Sequence, residues 1–415
     1  MARLNAPRGG HGRASLRTPL AAVTGPPVKL TTIRTCRNHI LRGAAPVLAG
    51  VALMASSAAT VARDDPNERF IEALLDRQLV HVAENEALRQ LGDPLLKPAE
   101  RVEWTLRLAR AYVRHAQLVT AADRGELSRR ADELIDDLLT SEPPLPRQAA
   151  IKAGQARLAG ERGLGRFWEW EAGGVGAPTQ REVTEGLRQG ADALRETLTS
   201  LHEEARAAAR RNPAQLAAGE LAVADVRRLE RETEFELAQL LVALVAVSPE
   251  SVDRAAAIRE ADQRLKDLAA GWIGDLHTWE ARLLRARLSS LRGADDLATT
   301  QIREALADRP AAWLVDALTA ELVRVMIDGG QLDTALTTLL EHARNHGRLA
   351  EELTFVQIDA LLRASRLAEQ QKDEATSREL WLRAEAATNQ LTGPWGARAR
   401  IRIERERESA RYGPE

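Results

Sequence analysis

The chain has very little cysteine and few aromatic residues. Its 415 residues contain one cysteine, Cys36, and only 3% of them are Phe, Trp or Tyr. A single thiol cannot form a disulfide within the chain, and it cannot supply a cysteine-based metal site. Aromatic residues are enriched in β-strands, whereas Ala, Leu, Arg and Glu, which dominate this chain, favour helices. We therefore expect an all-α protein that is held together by side-chain packing.

Catalytic and nucleotide-binding motifs are also missing from the sequence. No glycine-rich loop ends in Gly-Lys-Ser/Thr, and no serine occupies a Gly-x-Ser-x-Gly elbow. His342 and His346 have a spacing that can bind zinc, but they stand at a predicted helix end just before Gly347, with no third ligand. We interpret them as structural. The sequence predicts no catalytic residue, no cofactor and no metal site, and hence a protein that is not an enzyme.

Acidic residues are absent from residues 1–62, which carry eight Lys and Arg. The basic part is followed by an apolar stretch over 44–55 and then by small residues, a pattern that is typical of a secretory signal peptide. Cleavage after Ala59 or Ala62 fits this pattern. The apolar stretch is shorter than the ~20 residues of a spanning helix, which favours cleavage. We predict an exported protein, periplasmic, extracellular or in the cell envelope; the alternative is a chain tethered to the membrane by an uncleaved signal anchor.

Removal of this segment makes the chain acidic. Without its eight basic residues, the 58 Lys and Arg of the whole chain fall to 50 against 60 Asp and Glu, a formal net charge of −10. Such a chain has little bulk attraction for phosphate backbones or anionic membrane surfaces. We therefore predict no nucleic-acid partner and no stable membrane insertion after signal cleavage.

Apolar residues recur at spacings of three and four along nearly all of the chain after Asn67, and none of it alternates like a strand. Glycine and proline clusters divide this helical pattern. The predicted segments are a signal peptide over 1–62, N-terminal helical hairpins over 63–162, a Gly/Trp-rich loop over 163–178, a helical array over 179–396 and a charged, solvated terminal helix over 397–415.

The predicted loop holds the one aromatic cluster of the chain, Phe167, Trp168 and Trp170, among five glycines. Exposed tryptophans are favoured at binding hot spots, which makes these three residues the candidate partner-binding site. The alternative is that the loop folds back and fills a gap between helix pairs.

Two stretches between Trp279 and Gly347 repeat one pattern of small and large residues. The first stretch has the markers Gly293, Ala298, Ile302, Ala305 and Pro310. The second has Gly330, Ala335, Leu339, His342 and Gly347 at the same offsets. A weaker third unit has Ser365, Ser377, Trp381 and Ala384 in the same roles. The small markers Ala298, Ala335 and Ser377 are 37 and 42 residues apart.

Segment 279–310 resembles a tetratricopeptide repeat, a unit of about 34 residues that forms two antiparallel helices. The resemblance continues to residue 347 and is weaker over 350–390. It departs from the family at Arg282, where tryptophan is frequent, and at His342, where alanine is usual. The resemblance implies an all-α fold of antiparallel helical hairpins stacked as a tetratricopeptide-like α-solenoid.

Stacked helical repeats present concave surfaces that bind other molecules. We therefore predict an exported scaffold that binds a protein or peptide in the groove of its hairpins, without catalysis. Plausible exposed positions in that groove are Arg282, Arg285, Gln301, Glu321 and Arg324. Two alternatives remain open: an exported enzyme that acts on polysaccharide on a helical toroid, and a purely structural envelope protein.

Overall fold

The computed structural model describes residues 66–76, 79–119, 121–142, 147–173, 176–211, 220–248, 252–271 and 276–412. These residues form fifteen α-helices and no β-strand. The helices are α1 (Pro66–Asp76), α2 (Val80–Leu91), α3 (Pro98–Ala116), α4 (Ala121–Thr140), α5 (Gln148–Ala172), α6 (Gln180–Arg210), α7 (Val223–Val247), α8 (Val252–Ala269), α9 (Leu276–Leu291), α10 (Asp295–Ala307), α11 (Ala312–Asp328), α12 (Leu332–His346), α13 (Glu351–Gln370), α14 (Glu374–Thr388) and α15 (Gly393–Tyr412).

The predicted signal peptide, 1–62, and its alternative, the signal anchor, lie outside the described residues and stay predictions. None of the helices that the structure describes is long and apolar enough to cross a membrane.

The helices form two layers of stacked antiparallel hairpins. Each odd-numbered helix contacts the next odd-numbered one, from α1 through to α15. Within the described residues, the even-numbered helices contact only odd-numbered neighbours and never one another. Because the even-numbered helices spread apart while the odd-numbered ones touch, the odd-numbered helices line the inner side of the stack. This arrangement confirms the prediction of an all-α helical-repeat solenoid.

The row of odd-numbered helices, which we call the inner row, curves until its last helix contacts an earlier helix of the same row. The last helix, α15, contacts α13, α14 and also α5, in the middle of the chain. The approach to α5 is close, because a Cβ atom on Gly173 would lie 2.5 Å from a guanidinium nitrogen of Arg405. The stack therefore returns to its own fifth helix.

The three C-terminal hairpins, α9/α10, α11/α12 and α13/α14, have the same type of turn. Gly293, Gly330 and Lys372 follow the first helix of each hairpin, with φ of +74°, +75° and +61°. In each turn, the next residue donates its backbone N–H to a carbonyl five residues earlier, over 2.8–3.0 Å. This is the hydrogen bond of a Schellman-type helix end, which uses a left-handed residue. Five residues after each turn comes a small residue of the second helix, namely Ala298, Ala335 and Ser377.

The predicted loop over 163–178 is wrong for most of its length. Residues 163–172 belong to α5, and only residues 173–179 connect α5 to α6. Gly163 of this stretch, and Gly160 just before it, face α6. A Cβ atom on Gly163 would lie 2.8 Å from the carbonyl oxygen of Gly186, and one on Gly190 would lie 2.9 Å from the Cα atom of Gly160. Glycine here permits two backbones to pack closely, and that packing outweighs its helix cost of about 1 kcal/mol per residue.

The predicted boundary at residue 397 falls inside α15, which begins at Gly393. The prediction that this helix is solvated is wrong. Ala399 and Ile403 are buried in a cluster with residues of α13 and α14, and the Glu406 side chain is buried too. Charged residues of α15 form contacts with α13. Arg402 donates two hydrogen bonds to Asp359 of α13, over 2.7 and 3.0 Å. A sequence of alternating charges thus forms a packed helix because its partner helix supplies opposite charges.

Candidate functional site

The predicted aromatic site lies on the last turns of α5. Phe167 is buried in the core, whereas Trp168 and Trp170 are half-buried. The rings of Phe167 and Trp170 are 6.1 Å apart, and the guanidinium of Arg114 lies 5.8 Å from the Trp168 ring. Phe167 is therefore a core residue, and Trp168 and Trp170 are the two side chains of the set that keep an accessible part.

The C-terminal end of α5, residues 167–173, is a junction of several helices, and we refer to it as the α5 end. Glu169 forms an ion pair with Arg124 of α4 at 2.9 Å. Glu171 forms one with Arg287 of α9 at 3.4 Å. Gly173 meets Arg405 of α15. The predicted aromatic site thus coincides with the place where the inner row closes.

A set of charged side chains follows the inner row from the α5 end. We call it the inner charge cluster; its members are Glu171, Arg287, Glu321, Arg324, Glu352 and Arg398. Arg324 of α11 donates to Glu321, one turn before it, over 3.1 Å and to Glu352 of α13 over 2.7 Å. Burial acts to lower the pKa of Arg324, but the two carboxylates outweigh it and raise that pKa. Arg324 therefore stays charged and links two inner helices.

The positions predicted to be exposed in the groove are less open than expected. Glu321 of α11 is buried and forms an ion pair with Arg324 of the same helix. Arg282 and Gln301 are half-buried and engaged: Arg282 donates to Asp308 over 2.7 Å, and Gln301 accepts from Ser289 over 3.0 Å. Packing between neighbouring hairpins takes up side chains that a single hairpin would present to solvent.

Arg398 of α15 differs from the other arginines of the cluster. Its guanidinium lies 5.0 Å from the ring of Trp395, and within the described part of the chain it makes no hydrogen bond and no ion pair. Burial lowers the pKa of Arg398, and the nearby charge of Arg324 lowers it further, against the opposing effect of Glu171 and Glu352. A partly desolvated guanidinium without a hydrogen-bonded acceptor is suited to receive a carboxylate from outside the chain.

A second group of buried charges lies between α3, α5 and α7. Glu161 of α5 accepts from Arg110 at 2.5 Å and lies 3.5 Å from Arg114. Burial acts to raise the pKa of Glu161, but the two arginines outweigh it and lower that pKa. On α7, burial raises the pKa of Glu236 even though Arg157 lies 2.5 Å away. These charges neutralise one another within the core, so this group serves stability.

The histidine pair singled out in the sequence has a structural partner. The rings of His342 and His346 stack at 4.3 Å, and the Nε2 atom of His342 lies 2.8 Å from the Asp316 carboxylate. This trio does not bring three donor atoms together. The residues that do so, among those that the structure describes, are His81, Glu84 and His115, which the sequence analysis passed over.

Arg398 was also missed by the sequence analysis, although a signal was present. Arg398 follows Trp395 by three positions, the spacing at which side chains meet on one face of a helix.

Comparison with models of known protein families and with curated proteins gave no match.

Proposed function

We propose that the protein is an exported helical-repeat scaffold that binds a protein or peptide partner along its inner face and performs no catalysis. The tetratricopeptide-like spacing of residues 279–347 supports this class of function, because helical repeats of that kind present concave binding surfaces. Export rests on the basic, then apolar, then small-residue pattern of 1–62.

The observation that carries the proposal is Arg398. The guanidinium of Arg398 is half-buried and forms no hydrogen bond with the described residues, so its N–H groups are available to an acceptor from outside the chain. A peptide carboxylate, from an acidic side chain or a C-terminus, has the matching planar geometry. Trp168 and Trp170, at the α5 end, provide apolar surface for neighbouring peptide side chains. We propose an acidic peptide segment as the bound element.

The enzyme alternative requires a deep pocket that joins two facing carboxylates with Trp168, Trp170 or Trp279. Trp279 is buried, with Arg282 over its ring. A partly open cavity between α6, α7 and α8 has a volume of about 240 Å³, and its two carboxylates, Asp192 and Glu260, both contact Arg195. That lining does not fit the requirement, so the scaffold remains our proposal.

The test is peptide selection followed by calorimetry. Peptides are selected from a random library on the immobilised chain, and their affinity is measured for the wild type, Arg398→Gln and Arg400→Gln. Arg400 is the matched control, since it lies on the same helix and is exposed. Loss of a charge-assisted hydrogen bond corresponds to roughly 1.5–3 kcal/mol, so we expect R398Q to weaken binding by about tenfold or more.

Arg400→Gln is expected to leave the affinity within about twofold of the wild type, because surface substitutions rarely exceed ±0.5 kcal/mol. Equal affinities for R398Q and R400Q would mean that the bound peptide lies elsewhere. Failure to select any peptide or to enrich any protein from envelope extracts would count against a scaffold altogether.

A further inference from the structure

The hairpin of α2 and α3 brings two imidazoles and a carboxylate together. His81 and Glu84 stand one turn apart on α2, and His115 lies in the last turn of α3. The Nδ1 atom of His115 lies 2.7 Å from one oxygen of Glu84, and the Nδ1 atom of His81 lies 3.7 Å from the other. The two imidazole rings are 4.2 Å apart, edge to face. One donor atom from each residue lies within 4.8 Å of the other two.

The charge balance around Glu84 is unusual for this molecule. Its side chain is only 13% exposed, and its contacts in the described structure are with the two histidines. Other buried carboxylates are paired with arginines: Glu161 contacts Arg110, and Glu406 contacts Arg366. Glu84 has no arginine or lysine partner among the described residues, and burying a carboxylate without a compensating charge is costly.

A tyrosine lies beside this group. Tyr112 stands one turn before His115 on α3, and burial, followed by the negative charge of Glu84, raises its pKa. The group of His81, Glu84 and His115 combines two nitrogen donors and one carboxylate oxygen donor, and no arginine or lysine of the described residues is paired with it.

We propose that His81, Glu84 and His115 bind a divalent transition-metal ion of the Zn²⁺ class. Two imidazoles and one carboxylate form a donor set that zinc uses where three protein ligands leave a coordination position open. His81 is 73% exposed, so the open position faces solvent. The ion replaces the Glu84–His115 hydrogen bond and supplies the positive charge that the carboxylate lacks. Because both imidazoles bind in their neutral form, affinity decreases as the pH falls.

The chain supplies an internal comparison. His342, His346 and Asp316 are the same kinds of residues, and their imidazoles also lie within 4.5 Å of each other. However, His342 turns its Nε2 atom to Asp316, and the three donors do not converge. His346 is exposed, so replacing it leaves the core intact, as replacing His81 does.

The test uses the full chain without a histidine tag and titrates it with ZnCl₂ in a calorimeter. The variants are His81→Gln and Glu84→Gln, with His346→Gln as the matched control. Residues 1–65, which include Cys36, His11 and His39, contribute the same background to every variant. Changes in the surroundings of zinc ligands alone cost about 10–100-fold in affinity, so we expect at least that loss when His81 or Glu84 is replaced.

His346→Gln is expected to bind Zn²⁺ like the wild type. A second measurement reports the ligands: the Co²⁺-loaded wild type should gain visible absorption bands that H81Q lacks. Superimposable Zn²⁺ titrations of the wild type and H81Q would show that the group is only a hydrogen-bonded Glu–His pair, which overturns the proposal. This outcome is independent of the scaffold proposal, because the site lies on α2 and α3 and the peptide test addresses α15.

Discussion

The α5/α6 hairpin and the three C-terminal hairpins achieve close helix packing with different residues. Between α5 and α6, glycine faces glycine, with Gly163 against Gly186 and Gly160 against Gly190. In the C-terminal hairpins, alanine, valine and serine occupy the close positions, and glycine occurs only between helices, at Gly293, Gly329, Gly330 and Gly347. Glycine therefore permits close contact between helices in one half of the molecule and forms the connections between helices in the other.

Buried carboxylates in the two regions offer a second comparison. In α5, Glu161 links its helix to Arg110 and Arg114 of α3, whereas Glu321, in the C-terminal half, pairs with Arg324 of its own helix. Replacing Glu161 by glutamine leaves two arginines without their carboxylate. Removing one partner of a buried ion pair costs about 3–5 kcal/mol, so we expect E161Q to lose about 3 kcal/mol in urea unfolding. Glu352→Gln, at a half-exposed pair, is the matched control and should lose less.

The same variant tests a pH dependence. Because folding lowers the pKa of Glu161 below its ordinary value of 4.5, the ionised form stabilises the folded state above that pH. This contribution is lost as the pH falls below about 4.5. The stability difference between the wild type and E161Q should therefore shrink on acidification from pH 6 to pH 3. A difference that stays constant over this range would contradict the assignment.

A second prediction concerns the contact between Gly190 of α6 and Gly160 of α5. In Gly190→Ala the new Cβ atom meets the backbone of Gly160 at 2.9 Å, so the two helices must separate. Overpacking of this kind typically costs about 1–3 kcal/mol. The matched control is Gly125→Ala in α4, where a Cβ atom meets nothing within 4 Å and the better helix propensity should add about 0.5–1 kcal/mol of stability. Urea midpoints that move in the same direction for both variants would refute the interpretation of α5/α6.

The turns of the C-terminal hairpins give the third and smallest effect. Lys372 occupies the left-handed position that Gly293 and Gly330 take in the preceding hairpins. A residue with a side chain pays roughly 1–2 kcal/mol there. We expect Lys372→Gly to raise stability by about 1 kcal/mol and Gly330→Ala to lower it by a similar amount, as measured by thermal unfolding. Destabilisation by K372G would show that the lysine side chain makes a contact that outweighs the strain.

Where apolar spacing and turn residues agree, the sequence is sufficient to predict the fold. The two glycine turns and the buried small residues Ala298 and Ala335 follow from such agreement. The prediction failed at residues 163–172, because local propensity reads closely spaced glycines as a loop. Only the position of α6 shows that Gly163 faces another backbone. Long-range packing of this kind is not encoded in the spacing of one segment.

The candidate sites also differ in how far the sequence alone could predict them. The aromatic cluster of α5 was visible because three aromatics stand together in a chain that has few. Arg398 could have been noticed from its spacing to Trp395, but its lack of an acceptor depends on helices that are distant in sequence. Glu84 and His115 are 31 residues apart, and only the α2–α3 hairpin brings them together. Whether Trp168 and Trp170 bind a partner stays a prediction.

The contact between α5 and α15 affects how the chain reaches its folded state. A stack of hairpins consists almost entirely of local contacts, and chains with a low mean sequence separation between contacting residues fold fast. The approach of Arg405 to Gly173 joins positions about 230 residues apart, and closing a loop of that length costs entropy that only the finished contact offsets. We therefore expect the last helix to dock late, after the hairpins between α5 and α15 have set the curvature that brings the two together. On this expectation the chain is an open arc until then, and the α5 end is completed in the last step of folding.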